Sequence, residues 1–231
     1  MTDQLPRVRL RPDVLLFRPP GVYRAQSDSA VLAEAIRRGG YALDRHVLDV
    51  GTGSGALALA AARGGAASVT AVDLSLRSVL ATWVNCHLQG ARVAVRRGDL
   101  FAPVAGRRFD LIVANPPYVP AETDVLPRHT RARCWDGGVD GRIVVDRICA
   151  GARARLTRGG VLLMVHSAVC GAEATIDRLT DAGMSASVVM RASTPYGPVM
   201  RARAAMLESR GLTAPGEDVE ELVVVEGRRV D

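Results

Sequence analysis

The sequence contains no lysine: all 30 of its basic residues are arginines. That absence excludes Schiff-base catalysis and the lysine with which a nucleotide-binding P-loop reaches its phosphates. Aromatic residues are scarce, at 4%, which argues against the base-stacking platforms of single-strand nucleic-acid binders. No stretch approaches the roughly 18 apolar residues of a membrane span. The N-terminus, Met1 to Arg24, alternates arginines with prolines and lacks the apolar centre of a secretory leader. A cytoplasmic protein with no membrane contact is expected. The four cysteines, Cys86, Cys134, Cys149 and Cys170, show no Cys-x-x-Cys or Cys/His spacing, so they read as reduced core or loop thiols and no metal site is expected. The four histidines, His46, His87, His129 and His166, are scattered and read as structural or exposed.

What is present is enough for one α/β domain over residues 1–231, with 48% hydrophobic residues. Residues 1–24 form an N-terminal arm, and residues 194–218 an insertion between the last two strands. The net charge of +6 favours acidic partners such as nucleic acid or ribosome-bound factors, but its dispersal also suits a merely solvated surface. Short β-branched runs alternate with Ala/Leu/Arg-rich segments of helical period, as in βα units building a mostly parallel sheet. The strands fall at His46–Val50, Ser68–Asp73, Arg92–Arg96, Phe109–Ala114, Gly160–His166, Ala186–Arg191 and Glu221–Glu226. Helices fall at Ser29–Arg38, Ala56–Arg63, Leu76–Gln89, Arg142–Leu156 and Ala172–Ala182. A further proline-started, glycine-ended segment, Pro198–Gly211, reads as a helix with arginines on one side, either a surface insertion or a substrate contact. Thr213–Asp218 reads as a loop.

Two motifs carry chemistry. After the strand ending at Ala114 comes Asn115-Pro116-Pro117-Tyr118. The prolines stiffen the chain and remove two backbone donors, leaving carbonyls free to accept hydrogen bonds. An acceptor side chain, a free carbonyl and an aromatic plane suit a planar NH2 group, with its two N–H donors and its π face. Taken alone, the tetrapeptide is equally a Pro-rich loop. Upstream, Asp49-Val-Gly51-Thr-Gly53-Ser-Gly55 follows a strand and opens a helix, so that backbone at Gly51 and Gly53 can approach a ligand closely. Its spacing lacks the glycine that marks a pyrophosphate cradle. Asp49, Asp73 and Asp99 stand at three successive strand ends. Singly each is an ordinary cap or turn residue. In a row they can accept from an ammonium, a ribose and an adenine amine, the donor groups of S-adenosyl-L-methionine.

These residues resemble a class I S-adenosylmethionine-dependent methyltransferase, with a Rossmann-like, seven-stranded, mostly parallel sheet whose last strand is antiparallel and helices on both faces. More narrowly, the chain resembles the HemK family of protein glutamine methyltransferases, in its short eukaryotic and archaeal branch that modifies release factors. The likeness runs from Tyr23 to Val225. It rests on Tyr23 with Asp28-Ser29, the glycine turn, Asp73, Asp99-Leu100, Asn115–Tyr118, and Cys134-Trp135-Asp-Gly137-Gly138-Val-Asp140-Gly141-Arg142 followed by Asp146-Arg147. The last segment is the sharper discriminator. Two departures stand out: Ala25 occupies the family's proline position and Ser27 its glutamate position.

The resemblance implies cofactor contacts from Ser29, Asp49, Gly51, Gly53, Asp73, Asp99, Leu100 and Asn115. It implies catalysis by Asn115, Pro116 and Tyr118, and substrate binding by these three with Pro117 and Trp135. Trp135 is read either as part of a loop over the substrate entrance or as the anchor of that loop. The expected partner is a protein such as a release factor, with a small activator protein as a further partner. The alternative is methylation of N6 of adenine, or another exocyclic amine, in DNA or RNA, since the same pocket logic fits a nucleobase.

Overall fold

The computed structural model describes residues 16–23, 26–127 and 131–230. Of the expected N-terminal arm, residues 1–15 and Arg24 lie outside the described residues, as do Ala25 and His129. Strands β1 (His46–Val50), β2 (Ser68–Asp73), β3 (Val93–Arg97), β4 (Phe109–Ala114), β5 (Leu156–Ser167), β6 (Met184–Pro195) and β7 (Val219–Arg229) form one sheet in the order β3-β2-β1-β4-β5-β7-β6. The first five strands pair in parallel, and β7 runs antiparallel to both β5 and β6. Helices α1 (Ser27–Arg38), α2 (Ala56–Arg63) and α3 (Leu76–Leu88) pack in series on one face, and α4 (Ile143–Arg155) packs with α5 (Ala172–Asp181) on the other. α6 (Pro198–Ser209) stands between β6 and β7.

The central strands show why the sheet is covered on both sides. Leu111–Ala114 and Val161–Val165 are continuous apolar runs, and every residue in them is buried. Such runs mark strands enclosed by helices on two faces, whereas a half-solvated strand alternates. Loss of that alternation also explains where sequence and structure differ. β5 begins at Leu156 rather than Gly160, because Phe109 pairs with Leu156 and Leu111 with Val161, so the polar residues 157–160 bulge out of the ladder. Thr157 holds the bulge by donating to Asp110 Oδ1 at 2.8 Å. β6 and β7 extend past their expected ends because they pair with each other from Met184↔Arg229 to Pro195↔Val219. Their outer residues mix apolar ones such as Met184 and Val219 with polar ones, so no continuous local pattern marks the ends.

α6, inserted between the last two strands, packs through Met200 and Leu207, which are buried, while its other residues are exposed or half-buried. The four cysteines are free thiols, three of them buried. Among the described residues no helix is long and apolar enough to cross a membrane.

Candidate active site

The sheet order reverses between β1 and β4, and a crevice opens there at the carboxyl ends of the strands, where ligands bind in open α/β sheets. The register sets Val50 beside Ala114 and also beside Val72. The residues that follow, Gly51, Asn115 and Asp73, therefore emerge together at one sheet edge. Neighbouring registers, rather than proximity in sequence, bring the two motifs into one site.

The glycine turn is shaped from below by Asp49. Its carboxylate is fully buried, and Oδ2 accepts from Thr52 Oγ1 at 2.6 Å and from the Ala58 amide at 3.0 Å. Oδ1 is buried with no partner. Burial pushes Asp49 up to about 7 and nearby Asp73 adds to the shift, against the opposing hydrogen bonds from Thr52 and Ala58. A buried carboxylate oxygen without a donor is costly and suits a site completed by a ligand. Gly51 sits at φ +75° with nothing within 4 Å of where a Cβ would stand, whereas Gly55 packs against α3, with Thr82 Cγ2 3.1 Å from its Cβ position. One glycine thus leaves room for a ligand and the other closes the turn onto its neighbour.

Asp73 accepts from the Gly53 amide at 2.9 Å and the Ser75 amide at 2.8 Å, one to each oxygen. Each oxygen retains acceptor capacity, since a carboxylate offers about four lone-pair positions. Burial pushes its pKa upward. Asp99 is placed differently. It is exposed and paired with Arg147 at 2.5 Å, each side chain 49% exposed. Beside it Leu100 lies at φ 45°, a left-handed conformation that costs a non-glycine residue roughly 1–2 kcal/mol and that clusters at functional sites.

Asn115 is held by α1. Its Nδ2 donates to Ser29 Oγ at 3.0 Å, which leaves Oδ1 as an acceptor facing away from that bond. Among the described residues no hydrogen bond reaches the Pro116 carbonyl. The adjacent residue of α1, Asp28, is buried and accepts from Tyr23 at 2.6 Å, from Tyr118 at 3.3 Å and from the Ser29 amide at 2.6 Å. Burial, then Asp28, pushes the Tyr118 phenol well above its ordinary value, so it stays protonated and donates. The tetrapeptide is therefore fixed at both ends by two consecutive residues in the first turn of α1.

Beyond Tyr118 the chain pairs with the Trp-Asp-Gly-Gly segment. Val119 N donates to Trp135 O at 2.7 Å, Gly137 N to Val119 O at 3.0 Å, and Ala121 N to Gly138 O at 2.8 Å. Gly141, at φ +77°, lies so close that an added Cβ would stand 2.2 Å from the Tyr118 carbonyl oxygen. A cavity of about 970 Å³ adjoins this region, with Tyr23, Asp28, Tyr118 and Trp135 in its wall. Trp135 both lines the cavity and joins the ladder through its carbonyl. Asp49, Asp73 and Asn115 do not line this cavity, so it lies to one side of the sheet edge where they emerge.

Several contributors were missed in the sequence. Asn85, buried on α3, accepts from the Phe17 amide at 2.7 Å and donates to Phe17 O at 2.9 Å and Ser54 O at 2.8 Å, tying residues 16–23 and the glycine turn to one side chain. Its signal was a polar residue on the buried face of a helix. Glu220, buried in the cavity wall, has an unpartnered Oε1 and is pushed up to about 7, chiefly by burial. Arg203 of α6 joins the two paired segments described above.

The family model of the methyltransferase small domain matches residues 14–129. This chain belongs to the methyltransferase small domain family. A relative from Methanocaldococcus jannaschii, provisionally named protein N5-glutamine methyltransferase, is 30% identical over 181 residues, which cover 78% of this chain and 90% of the relative. The release factor glutamine methyltransferase of Geobacter sulfurreducens is 36% identical over 171 residues, 71% of this chain and 59% of the relative. The chain thus spans about three fifths of that bacterial methyltransferase. The seven-stranded methyltransferase fold recurs in the E. cuniculi Mtq2–Trm112 complex, responsible for methylation of the eRF1 termination factor, with a TM-score of 0.58 and 22% identity over 90% of this chain and 99% of that one.

Proposed function

We propose that this methyltransferase transfers a methyl group from S-adenosylmethionine to the side-chain amide nitrogen of a glutamine in a protein such as a release factor. The observation that carries the reading is the Asn115–Ser29 hydrogen bond, which commits the donor end of the Asn115 amide and turns its acceptor outward beside the free Pro116 carbonyl. The relatives named as glutamine methyltransferases support the same substrate class.

The residues at the sheet edge fit the cofactor. The unpartnered Asp49 Oδ1 suits its ammonium, the remaining acceptor capacity of Asp73 suits ribose hydroxyls, and the open space at Gly51 admits its backbone-contacting part. Asp99 and Leu100 belong to the adenine side of this assignment, where Arg147 holds the Asp99 carboxylate. When bound, S-adenosylmethionine supplies a methyl carbon made electrophilic by its sulfonium.

An amide nitrogen is a poor nucleophile because its lone pair is delocalised. Asn115 Oδ1 and the Pro116 carbonyl would accept the two N–H bonds of the target NH2, raising electron density on nitrogen as the N–C bond replaces the methyl–sulfur bond; S-adenosylhomocysteine is the leaving group and one amide proton passes to water. Tyr118 and Pro117 bound the planar group, and Trp135 walls the approach. Orientation supplies most of the rate, since holding reactants in line lowers a barrier by roughly 7–11 kcal/mol in favourable cases. Acceptors already in place then meet the positive charge that develops on nitrogen.

A small activator subunit forms part of the proposal. α3 exposes Leu76, Leu80 and Trp83 at 51%, 52% and 56%, spaced so that one helix face carries them, and an apolar stripe of this kind suits a partner. Mixing with a Trm112-type protein should give a heterodimer that Trp83→Asp abolishes.

The substrate class is tested by incubating the enzyme with labelled S-adenosylmethionine and cell lysate, then digesting separately with protease and nuclease. Label released by protease and resistant to nuclease supports protein methylation. The opposite pattern assigns the acceptor pair to a nucleobase amine.

A further inference from the structure

We infer that α6 clamps the substrate side of the site and that Arg203, beyond the hold of α1 on the tetrapeptide itself, is a positioning residue for the chain that leaves the Asn-Pro-Pro-Tyr loop; this rests on the amide-methylation reading above. The loop leaving Tyr118 and the Trp-Asp-Gly-Gly segment pair through three backbone hydrogen bonds and an isolated bridge between Val119 and Asp136, outside the seven-stranded sheet, with further ties from Val139 N to Asp124 Oδ1 at 2.8 Å and from Cys170 Sγ to the Tyr118 carbonyl at 2.9 Å. Such a two-segment ladder is marginal by itself.

α6 binds both segments at once. The Arg203 guanidinium donates through Nη1 to the Pro120 carbonyl at 2.8 Å and through Nη2 to Asp136 Oδ1 at 2.5 Å. Two turns further on, Arg210 Nη1 donates to the carbonyls of Ala121 at 2.8 Å and Val139 at 3.4 Å. Each arginine reaches one acceptor on each segment. The planar fork of arginine suits two acceptors in fixed relation, a geometry that a lysine ammonium does not reproduce. The Arg203 and Asp136 side chains are only 23% and 11% exposed, so solvent screens their attraction little.

The clamp adjoins the chemistry. Pro120 follows Tyr118 by two residues, and the stiff Pro116-Pro117 pair transmits its placement to Asn115. At its other end α6 contributes Pro198, Val199 and Met200 to the same cavity wall as Tyr118 and Trp135. α6 therefore sets both the wall of the cavity and the position of the loop that faces it.

The test compares Arg203→Met and Asp136→Asn with the unaltered chain. Hydrogen exchange at the amides of Val119, Ala121 and Gly137 should accelerate at least ten-fold in Arg203→Met, with the amides of β1 and β4 unchanged. Turnover of a glutamine peptide, as kcat/KM, should fall at least ten-fold while affinity for S-adenosylhomocysteine stays within two-fold, and Arg203→Lys should recover part of the loss. Asp136→Asn, which leaves the Pro120 bond intact, should show the same pattern at about three-fold, and it serves as the measured variant if Arg203→Met does not fold. Unchanged exchange in these variants, turnover within two-fold of the parent, or cofactor affinity falling as far as turnover overturns the clamp. If the parent itself leaves the peptide unmethylated, the amide reading fails, and the exchange measurement still decides the clamp.

Discussion

Asn115 donates to Ser29 at 3.0 Å across 86 residues of sequence, and Asp28, the neighbour of Ser29, accepts from Tyr118. The first turn of α1 therefore fixes which end of the Asn115 amide faces the crevice.

Ser29→Ala removes the partner of Asn115 Nδ2 and lets the amide turn its donor outward. We expect kcat to fall about ten-fold, the effect of losing one hydrogen bond of about 1.4 kcal/mol at the transition state, with little change in cofactor affinity. Steady-state kinetics with a glutamine peptide and calorimetry with S-adenosylhomocysteine check both halves. Equal losses in the two would assign Ser29 to the cofactor instead.

The Tyr118 hydroxyl makes one long hydrogen bond, at 3.3 Å, while its ring is buried against the core. Tyr118→Phe should keep the ring in place and lower turnover by less than about five-fold, since at 3.3 Å the bond to the Asp28 carboxylate is long and contributes about 1 kcal/mol. Tyr118→Ala should cost roughly 3–5 kcal/mol of stability as well, as large-to-small core changes do. A Phe variant as inactive as the Ala variant would shift the role from the ring to the hydroxyl.

Gly141 tolerates no side chain, for two reasons that act together. Its φ of +77° disfavours any L residue, and an added Cβ would stand 2.2 Å from the Tyr118 carbonyl oxygen and 2.8 Å from Cys170 Sγ. We expect Gly141→Ala to lower unfolding free energy by about 2 kcal/mol or more, measured by urea denaturation. A stability change within about 0.5 kcal/mol, the range of ordinary surface substitutions, would show that this contact yields easily.

The β1, β2 and β4 strands were legible because each is an apolar run with a clear polar end, and the glycine turn and Asn-Pro-Pro-Tyr were legible because their residue types constrain backbone directly. What the sequence hid were tertiary relationships. The Asp28–Tyr118 and Ser29–Asn115 contacts join segments that no local pattern relates. The arginines of α6 resembled a solvated face until Pro120 and Asp136 appeared beneath Arg203. Asp99 gave the same sequence signal as Asp73, yet one is exposed against Arg147 and the other lies under the glycine turn. Periodicity reports which face of an element is buried, whereas the partner of a polar group is set by chain segments far away.

Asp49 makes the free enzyme sensitive to pH. Burial raises its pKa from 3.8 to about 7, so between those values the folded state binds more protons than the unfolded one, and stability falls as pH rises toward 7. Glu220, raised from 4.5 to about 7, acts with the same sign, whereas His166, lowered from 6.5 to about 4 by burial, removes stability as pH falls through that window. We expect Asp49→Asn to flatten the decline toward neutral pH in urea titrations. A cationic ligand group at Oδ1 favours the ionised form, so S-adenosylhomocysteine should bind more weakly as pH drops below 7, with proton release. Affinity independent of pH between about 5.5 and 8, across the ordinary and raised values of such a carboxylate, would remove Asp49 from the ammonium site.

The decisive reading is fragment mass spectrometry of a Gly-Gly-Gln peptide incubated with the purified enzyme, S-adenosylmethionine and a Trm112-type subunit, beside the same reaction with Asn115→Ala. One methyl group on the glutamine side-chain nitrogen, lost at least a hundred-fold in the Asn115→Ala reaction while that variant still binds S-adenosylhomocysteine, is the expected result. A methyl group placed on another atom, or one that Asn115→Ala installs as fast as the parent, would contradict the acceptor corner as the seat of the chemistry.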